Sequence, residues 1–131
     1  MSTIGEVAEQ LGVSAHTLRY YEKIQLLAPV AKTPSGQRSY SDADIARVQF
    51  IKRAQRMHFS LDEIRALIEL DKADLVEKPH AQSLVREKVA DIEDSLKDLR
   101  RLKKDLSRML EACEMSDADD DCPIIEGIKH D

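Results

Sequence analysis

The chain has 131 residues, 42 % hydrophobic and 34 % charged, with a formal net charge of −5. That length suits one small domain plus an extended element, and no run of about 18 apolar residues offers a membrane span. The opening Met1-Ser2-Thr3-Ile4-Gly5-Glu6 lacks the basic and apolar stretches of a secretory signal. A cytoplasmic setting is therefore expected, where paired thiols act as ligands or redox sensors more often than as structural bridges. The charge is uneven: residues 15–56 carry eight Lys/Arg against three acids, a local +5, while residues 76–131 carry ten against fifteen. A basic front and an acidic back imply that only the front meets an anionic polymer.

Residues 3–11 read as a first helix, with Thr3 as N-cap, Glu6 completing a capping box and Ile4, Val7, Ala8 and Leu11 on one face. Gly12 ends it in the left-handed conformation that glycine tolerates. Ser14 caps a second helix with Leu18 and Tyr21 turned inward, and this helix–turn–helix order places the start of the second helix toward a major groove. Its candidate contacts are His16, Thr17, Arg19 and Tyr20, of which Arg19 can fork onto a guanine edge or a phosphate.

Residues 28–40 hold two prolines and a Ser-Gly turn between short extended runs, which reads as a hairpin or wing. Lys32, Arg38 and Tyr40 are expected to project from it toward a phosphate backbone. Ser41 caps a third helix running to about Met57, with Ile45, Val48, Ile51 and Ala54 at helical spacing. Ser60 and Glu63 box a fourth helix that ends near Leu70, with Ile64, Leu67 and Ile68 inward.

After a charged connector, 72–79, Pro79 suits a helix start and no glycine or proline interrupts the chain from His80 to Cys113. A helix there would be about 50 Å long. Val85, Val89, Ile92, Leu96 and Leu99 form a heptad seam that falters at Lys103 and resumes at Leu106 and Leu110. So narrow a stripe needs a partner of equal length, and a second copy of the chain is the obvious one. The seam itself leaves open whether the pair is parallel.

The only two cysteines, Cys113 and Cys122, flank an acidic loop, and Cys122 opens a Cys-Pro-Ile-Ile run. Two thiolates favour Cu(I), Ag(I), Au(I) or Hg(II), whereas Zn(II) and Cd(II) call for about four ligands. Asp117-x-Asp119-x-Asp121 has calcium-loop spacing, but Cys122 and Ile128 stand where that loop needs glycine and glutamate. Met115 is a candidate soft ligand and more often a packing residue, while His58 and His130 lack ligand-spaced partners. No nucleophile cluster or glycine-rich phosphate loop is present, so an enzyme is not expected.

This order of elements, together with Leu18-Arg19-Tyr20-Tyr21-Glu22-Lys23, Leu26-Leu27, Pro29 and Ser35-Gly36-Gln37-Arg38-Ser39-Tyr40, resembles the MerR family of transcription regulators over nearly the whole chain. Ile4-Gly5-Glu6-Val7-Ala8 is similar to the family's opening helix, and Cys122-Pro123-Ile124-Ile125 to its metal-sensing branch, close to its copper and its zinc or lead regulators. The resemblance implies a mainly α fold. A winged helix-turn-helix DNA-binding domain (1–71) would be followed by a long antiparallel coiled-coil dimerisation helix (80–112) and an effector loop and tail (113–131). It also implies a cytoplasmic homodimer on promoter DNA with RNA polymerase, activating a metal-resistance or efflux promoter by distorting the DNA when a soft ion binds Cys113 and Cys122.

Two departures matter. Gln25 stands where the family usually has glycine, so the turn is built differently or Gln25 takes a positive φ. Divalent-metal members carry a third cysteine at the start of the dimer helix, given by the other subunit, where this chain has Glu77-Lys78-Pro79-His80. Its absence favours a Cu(I)-type effector, whose anionic two-thiolate site the Lys78 ammonium would tend to offset, while His80 or an acid of the loop could complete a divalent site. The eight-residue spacing between the cysteines instead looks like the mercury, zinc and lead types, which keeps a divalent effector open. A thiol redox sensor and a constitutive architectural DNA-binding dimer are the remaining alternatives.

Overall fold

In the computed structural model, residues 1–73 and 77–130 are described, and the middle of the expected connector, residues 74–76, lies outside them. The chain divides into two units, Met1–Leu84 and Val85–Asp131.

The first unit opens with β1 (Ser2–Thr3) and α1 (Ile4–Leu11). The Thr3 hydroxyl accepts the Glu6 N–H at 3.2 Å and the Thr3 N–H donates to the Glu6 carboxylate at 3.3 Å, which is the expected capping box. Gly12 turns the chain at φ +65°, and Ser14 caps α2 (Ala15–Lys23) by accepting the Thr17 N–H at 3.0 Å. Gln25 takes φ +64°, one of the two routes expected where glycine was missing. The strands β2 (Ala31–Lys32) and β3 (Arg38–Tyr40) form the wing hairpin, and β1 pairs on the far side of β3, giving an antiparallel sheet in the order β1-β3-β2.

Helix α3 (Asp42–Arg56) is boxed by Ser41 and Asp44, and α4 (Leu61–Lys72) by Ser60 and Glu63, ending two residues beyond the expected Leu70. His58, between them, is a second non-glycine residue at positive φ, +67°. Val7, Leu18, Tyr40, Val48, Ile51 and Ile64 are fully buried in the core that these elements share. Tyr40 corrects an expectation. It does not project from the wing but fills the core at 0 % exposure, because β3 is flanked by strands on both edges and turns this side chain toward α1 and α3.

Helix α5 runs from Lys78 to Met115, so Lys78 and Pro79 are already helical and Cys113 lies within the last turn. None of its residues is buried. The seam residues Val85, Val89, Ile92, Leu96, Leu99, Leu102, Leu106 and Leu110 are each between 41 % and 60 % exposed.

In the second unit, a short helix α6 (Pro123–Lys129) occupies what was expected to be loop and tail. Proline suits its first position, where no N–H is required. Gly127 lets α6 approach α5 closely: a Cβ there would meet the tip of the Met109 side chain at 2.5 Å. No helix among the described residues is long and apolar enough to cross a membrane.

Candidate nucleic-acid interface and metal centre

On α2, Leu18 and Tyr21 face the core, which leaves His16, Arg19 and Tyr20 together on the opposite, exposed face. Tyr20 is 44 % exposed, which is unusual for an aromatic side chain with an inward alternative beside it. Thr17 is half-buried, and its hydroxyl bonds the Ser14 hydroxyl at 2.8 Å, so it serves the cap first. Lys32 is exposed on the wing.

Arg38 does not stand free. Its Nε donates to the Glu22 carboxylate at 2.7 Å, and the other Glu22 oxygen accepts the Val30 N–H at 3.2 Å. Burial pushes the Glu22 carboxyl upward, but Arg38 and the Val30 N–H outweigh it and hold the pKa below its ordinary value. Glu22 thus ties α2 to the wing.

Three more polar ties were not legible beforehand. The Tyr21 hydroxyl donates to the Gln55 side-chain amide oxygen (Oε1) at 2.8 Å, the Lys52 ammonium donates to the Leu11 backbone carbonyl, and the Arg65 guanidinium donates to the backbone carbonyls of Ile24 and Gln25. Arg65 thereby places a cation at the negative end of α2. Arg47 pairs with Asp71 at 3.2 Å and lies over Phe50. Arg38, Arg47 and Lys52 of the basic front therefore serve internal contacts, and the outward charge is smaller than the count implied. A lone glutamate inside a basic stretch was the available signal for Glu22. Nothing in the spacing marked Arg65.

In the second unit, the Cys113 and Cys122 sulfurs lie 3.7 Å apart, both half-buried and neither in a disulfide. The loop between them folds on itself: Ser116 hydrogen-bonds the Cys113 carbonyl through its hydroxyl (2.8 Å) and its N–H (3.3 Å). The Asp117 N–H donates to the Asp120 carboxylate at 3.1 Å. The Asp117, Asp119 and Asp121 carboxylates do not gather into a cage, and among the described residues no group of three or more His, Cys, Asp or Glu could hold an ion. His130 bonds Glu126 at 3.1 Å and Met115 is exposed, so neither joins the thiols. Lys78 and His80 are exposed on the first turn of α5, His80 4.0 Å from Glu77.

The two thiols are electrostatically unlike. No capping hydrogen bond reaches Cys122, but the N–H dipoles of Ile125 and Ile124 and the S–H of Cys113 lower its pKa. Cys113 is raised, because its proton is held by Cys122 and the site is partly desolvated. The donor set fits a soft cation. Thiolate–metal bonds of about 2.3 Å set the sulfurs about 3.8 Å apart at a tetrahedral angle and about 4.6 Å apart when linear. The observed 3.7 Å is the contact distance of two hydrogen-bonded thiols, close enough for one soft ion to bridge them.

Comparison with known proteins identifies the family. The model described as MerR HTH family regulatory protein matches residues 2–71, and one described as MerR, DNA binding matches 45–109. The chain is 38 % identical over 127 residues to a mercuric resistance operon regulatory protein of Serratia marcescens, covering 97 % of this chain and 87 % of that one. Among solved structures it is similar to the regulator PbrR691 of Ralstonia metallidurans CH34 in complex with lead(II), at 29 % identity and TM-score 0.80, covering 98 % and 99 % of the two chains. It is also similar to MerR of Bacillus megaterium MB1 in complex with mercury(II), at 30 % identity and TM-score 0.67, covering 93 % and 94 %. The exposed α2 face, the wing and the long helix ending in a thiol pair thus mark a chain that belongs to the MerR family, whose members are DNA-binding transcription regulators rather than enzymes.

Proposed function

We propose that this chain is a homodimeric, metal-responsive transcription regulator whose effector is a soft divalent ion, Hg(II) foremost, held by Cys113 and Cys122. The observation that carries it is the thiol pair at 3.7 Å. Two thiolates neutralise a divalent ion and leave a monovalent one with net charge −1. That residual charge would stand beside Glu114 and the Asp117–Asp121 loop, where it is disfavoured. The relatives with mercuric resistance, mercury(II) or lead(II) in their names support the same choice. A Cu(I)-type effector becomes the second reading, favoured by one observation, that the described residues offer only two clustered donors. Under the divalent reading a further donor comes from outside the pair, with His80 of a second copy or an acid of the loop as the residue to test; the Lys78 ammonium has no lone pair to offer and would oppose a further cation.

On the DNA side, His16, Arg19 and Tyr20 would face a major groove, with Thr17 setting the cap and Lys32 reaching the backbone. Arg38 would act by holding the wing rather than by touching phosphate. Two copies would pair antiparallel along the α5 seams on promoter DNA, with RNA polymerase as partner. The effector needs to favour the DNA-distorting state by only a few kcal/mol.

The test is promoter output with Hg(II), Pb(II), Cd(II), Zn(II), Cu(I) and Ag(I) at buffered free concentrations, in the native chain and in Cys113→Ser and Cys122→Ser. Induction at lowest free Hg(II), lost in both variants with operator affinity retained, is expected. Induction by Cu(I) or Ag(I) alone would select the second reading. Induction that survives in both variants would remove the metal reading altogether.

A further inference from the structure

We infer that Cys113 and Cys122 are also a reversible disulfide switch, oxidised by hydroperoxides. The two sulfurs are already 3.7 Å apart, against about 2.05 Å in a disulfide, so forming the bond requires them to approach by about 1.7 Å. Both are partly solvent-exposed, as attack by a small oxidant requires. The chain between them is held closed without the bond: Ser116 ties back to Cys113, Asp117 and Asp120 fold the loop, and Gly127 lets α6 lie against Met109. The entropy of closing the ring is thus largely met before the sulfurs react. No other cysteine exists in the chain, so the product within one chain is unique.

The chemistry balances. One thiolate of the pair attacks an oxygen of the hydroperoxide, the O–O bond breaks, and the alkoxide or hydroxide that leaves takes up a proton. The sulfenic acid so formed is attacked by the second thiol; the S–S bond forms, the S–O bond breaks, and water leaves with the thiol proton. Two thiols are oxidised by two electrons and one hydroperoxide is reduced to an alcohol and water. The product has no free thiolate, so it holds no soft ion. Peroxide would therefore silence the metal response, and a bound ion would shield the pair. The competition rests on the proposed function, whereas the disulfide itself does not.

The test treats the full, reduced, metal-free chain with hydrogen peroxide. It reads free thiols, intact mass and a non-reducing gel, then Hg(II) uptake and operator binding. Both thiols are expected to vanish together, with loss of two hydrogens, no covalent dimer, full reversal by dithiothreitol, lost Hg(II) uptake and retained operator binding. Cys113→Ser and Cys122→Ser should each leave a sulfenic acid that a dimedone probe traps. Overoxidation to sulfinic acid in the native chain, a bond only between chains, or thiols that outlast glutathione under the same peroxide would overturn the switch. Full Hg(II) uptake by the disulfide form would overturn the competition. If the reduced chain takes up no Hg(II), the proposed function falls, and the thiol and mass readings still decide the disulfide.

Discussion

The Glu22 carboxylate is shared between two elements: one oxygen accepts Arg38 Nε at 2.7 Å and the other the Val30 N–H at 3.2 Å. The residue that anchors the wing thus sits on α2, the helix proposed to face DNA. Glu22→Gln keeps the shape but removes the charge, and hydrogen bonds to charged groups are worth about 1.5–3 kcal/mol. Partial exposure of the pair places the expected loss near the lower end, at about 1–2 kcal/mol in denaturant unfolding. Burial opposes ionisation of Glu22, but Arg38 and the Val30 N–H bring its pKa below the ordinary value. Its contribution to stability is therefore present above the unfolded-state pKa and disappears as pH falls through the folded one. The native chain should lose stability more steeply than E22Q below about pH 4. Equal acid dependence of the two would refute the assignment.

Tyr40 carries a fully buried hydroxyl with no hydrogen-bond partner among the described residues, and burial raises its pKa. Leaving such a group unsatisfied costs about 1–3 kcal/mol. Tyr40→Phe is expected to be neutral or stabilising by about 1 kcal/mol, with operator affinity unchanged at matched salt. A loss of affinity without loss of stability would restore Tyr40 as a DNA contact.

Gln25 adopts φ +64° at the turn that follows α2, with its carbonyl held by Arg65. A left-handed residue with a Cβ costs about 1 kcal/mol, and glycine avoids this at some entropic cost in the unfolded chain. Gln25→Gly should be within about 0.5 kcal/mol of the native chain or better, and Gln25→Val at least about 1 kcal/mol worse than Gln25→Gly. Equal midpoints for the two variants in thermal melts would contradict the strained turn.

Leu99 is 60 % exposed in the middle of the α5 seam. Two copies would bury it twice, and burying a leucine contributes about 1.5–3 kcal/mol. Leu99→Lys should weaken self-association by about a hundredfold or more in analytical ultracentrifugation. An unchanged dissociation constant would mean that the seam is not the dimer surface.

Local rules carried most of the helical framework. Thr3 with Glu6, Ser60 with Glu63, and Gly12 each act over a few residues, and the structure repeats them where the spacing put them. What failed was short or two-faced. The two residues of β1 are too few to show alternation, and α6 is seven residues with a glycine inside. Tyr40 has both an apolar ring and a polar tip, so its residue type fits a core and a phosphate contact equally, and only the pairing of β3 decides. At the candidate metal centre the two cysteines were legible as residues, and their juxtaposition at 3.7 Å was not, because it depends on how the loop between them folds. Arg65 reaches the end of α2 from a position 40 residues further along, a contact no periodicity encodes.

Helix α5 has no buried residue of its own. Isolated helices are marginal in water, and packing supplies most of their stability. The order of this chain's second unit then becomes a matter of mass action: it should deepen as copies accumulate and fray on dilution, so that at low copy number the second unit is less firmly folded than the first.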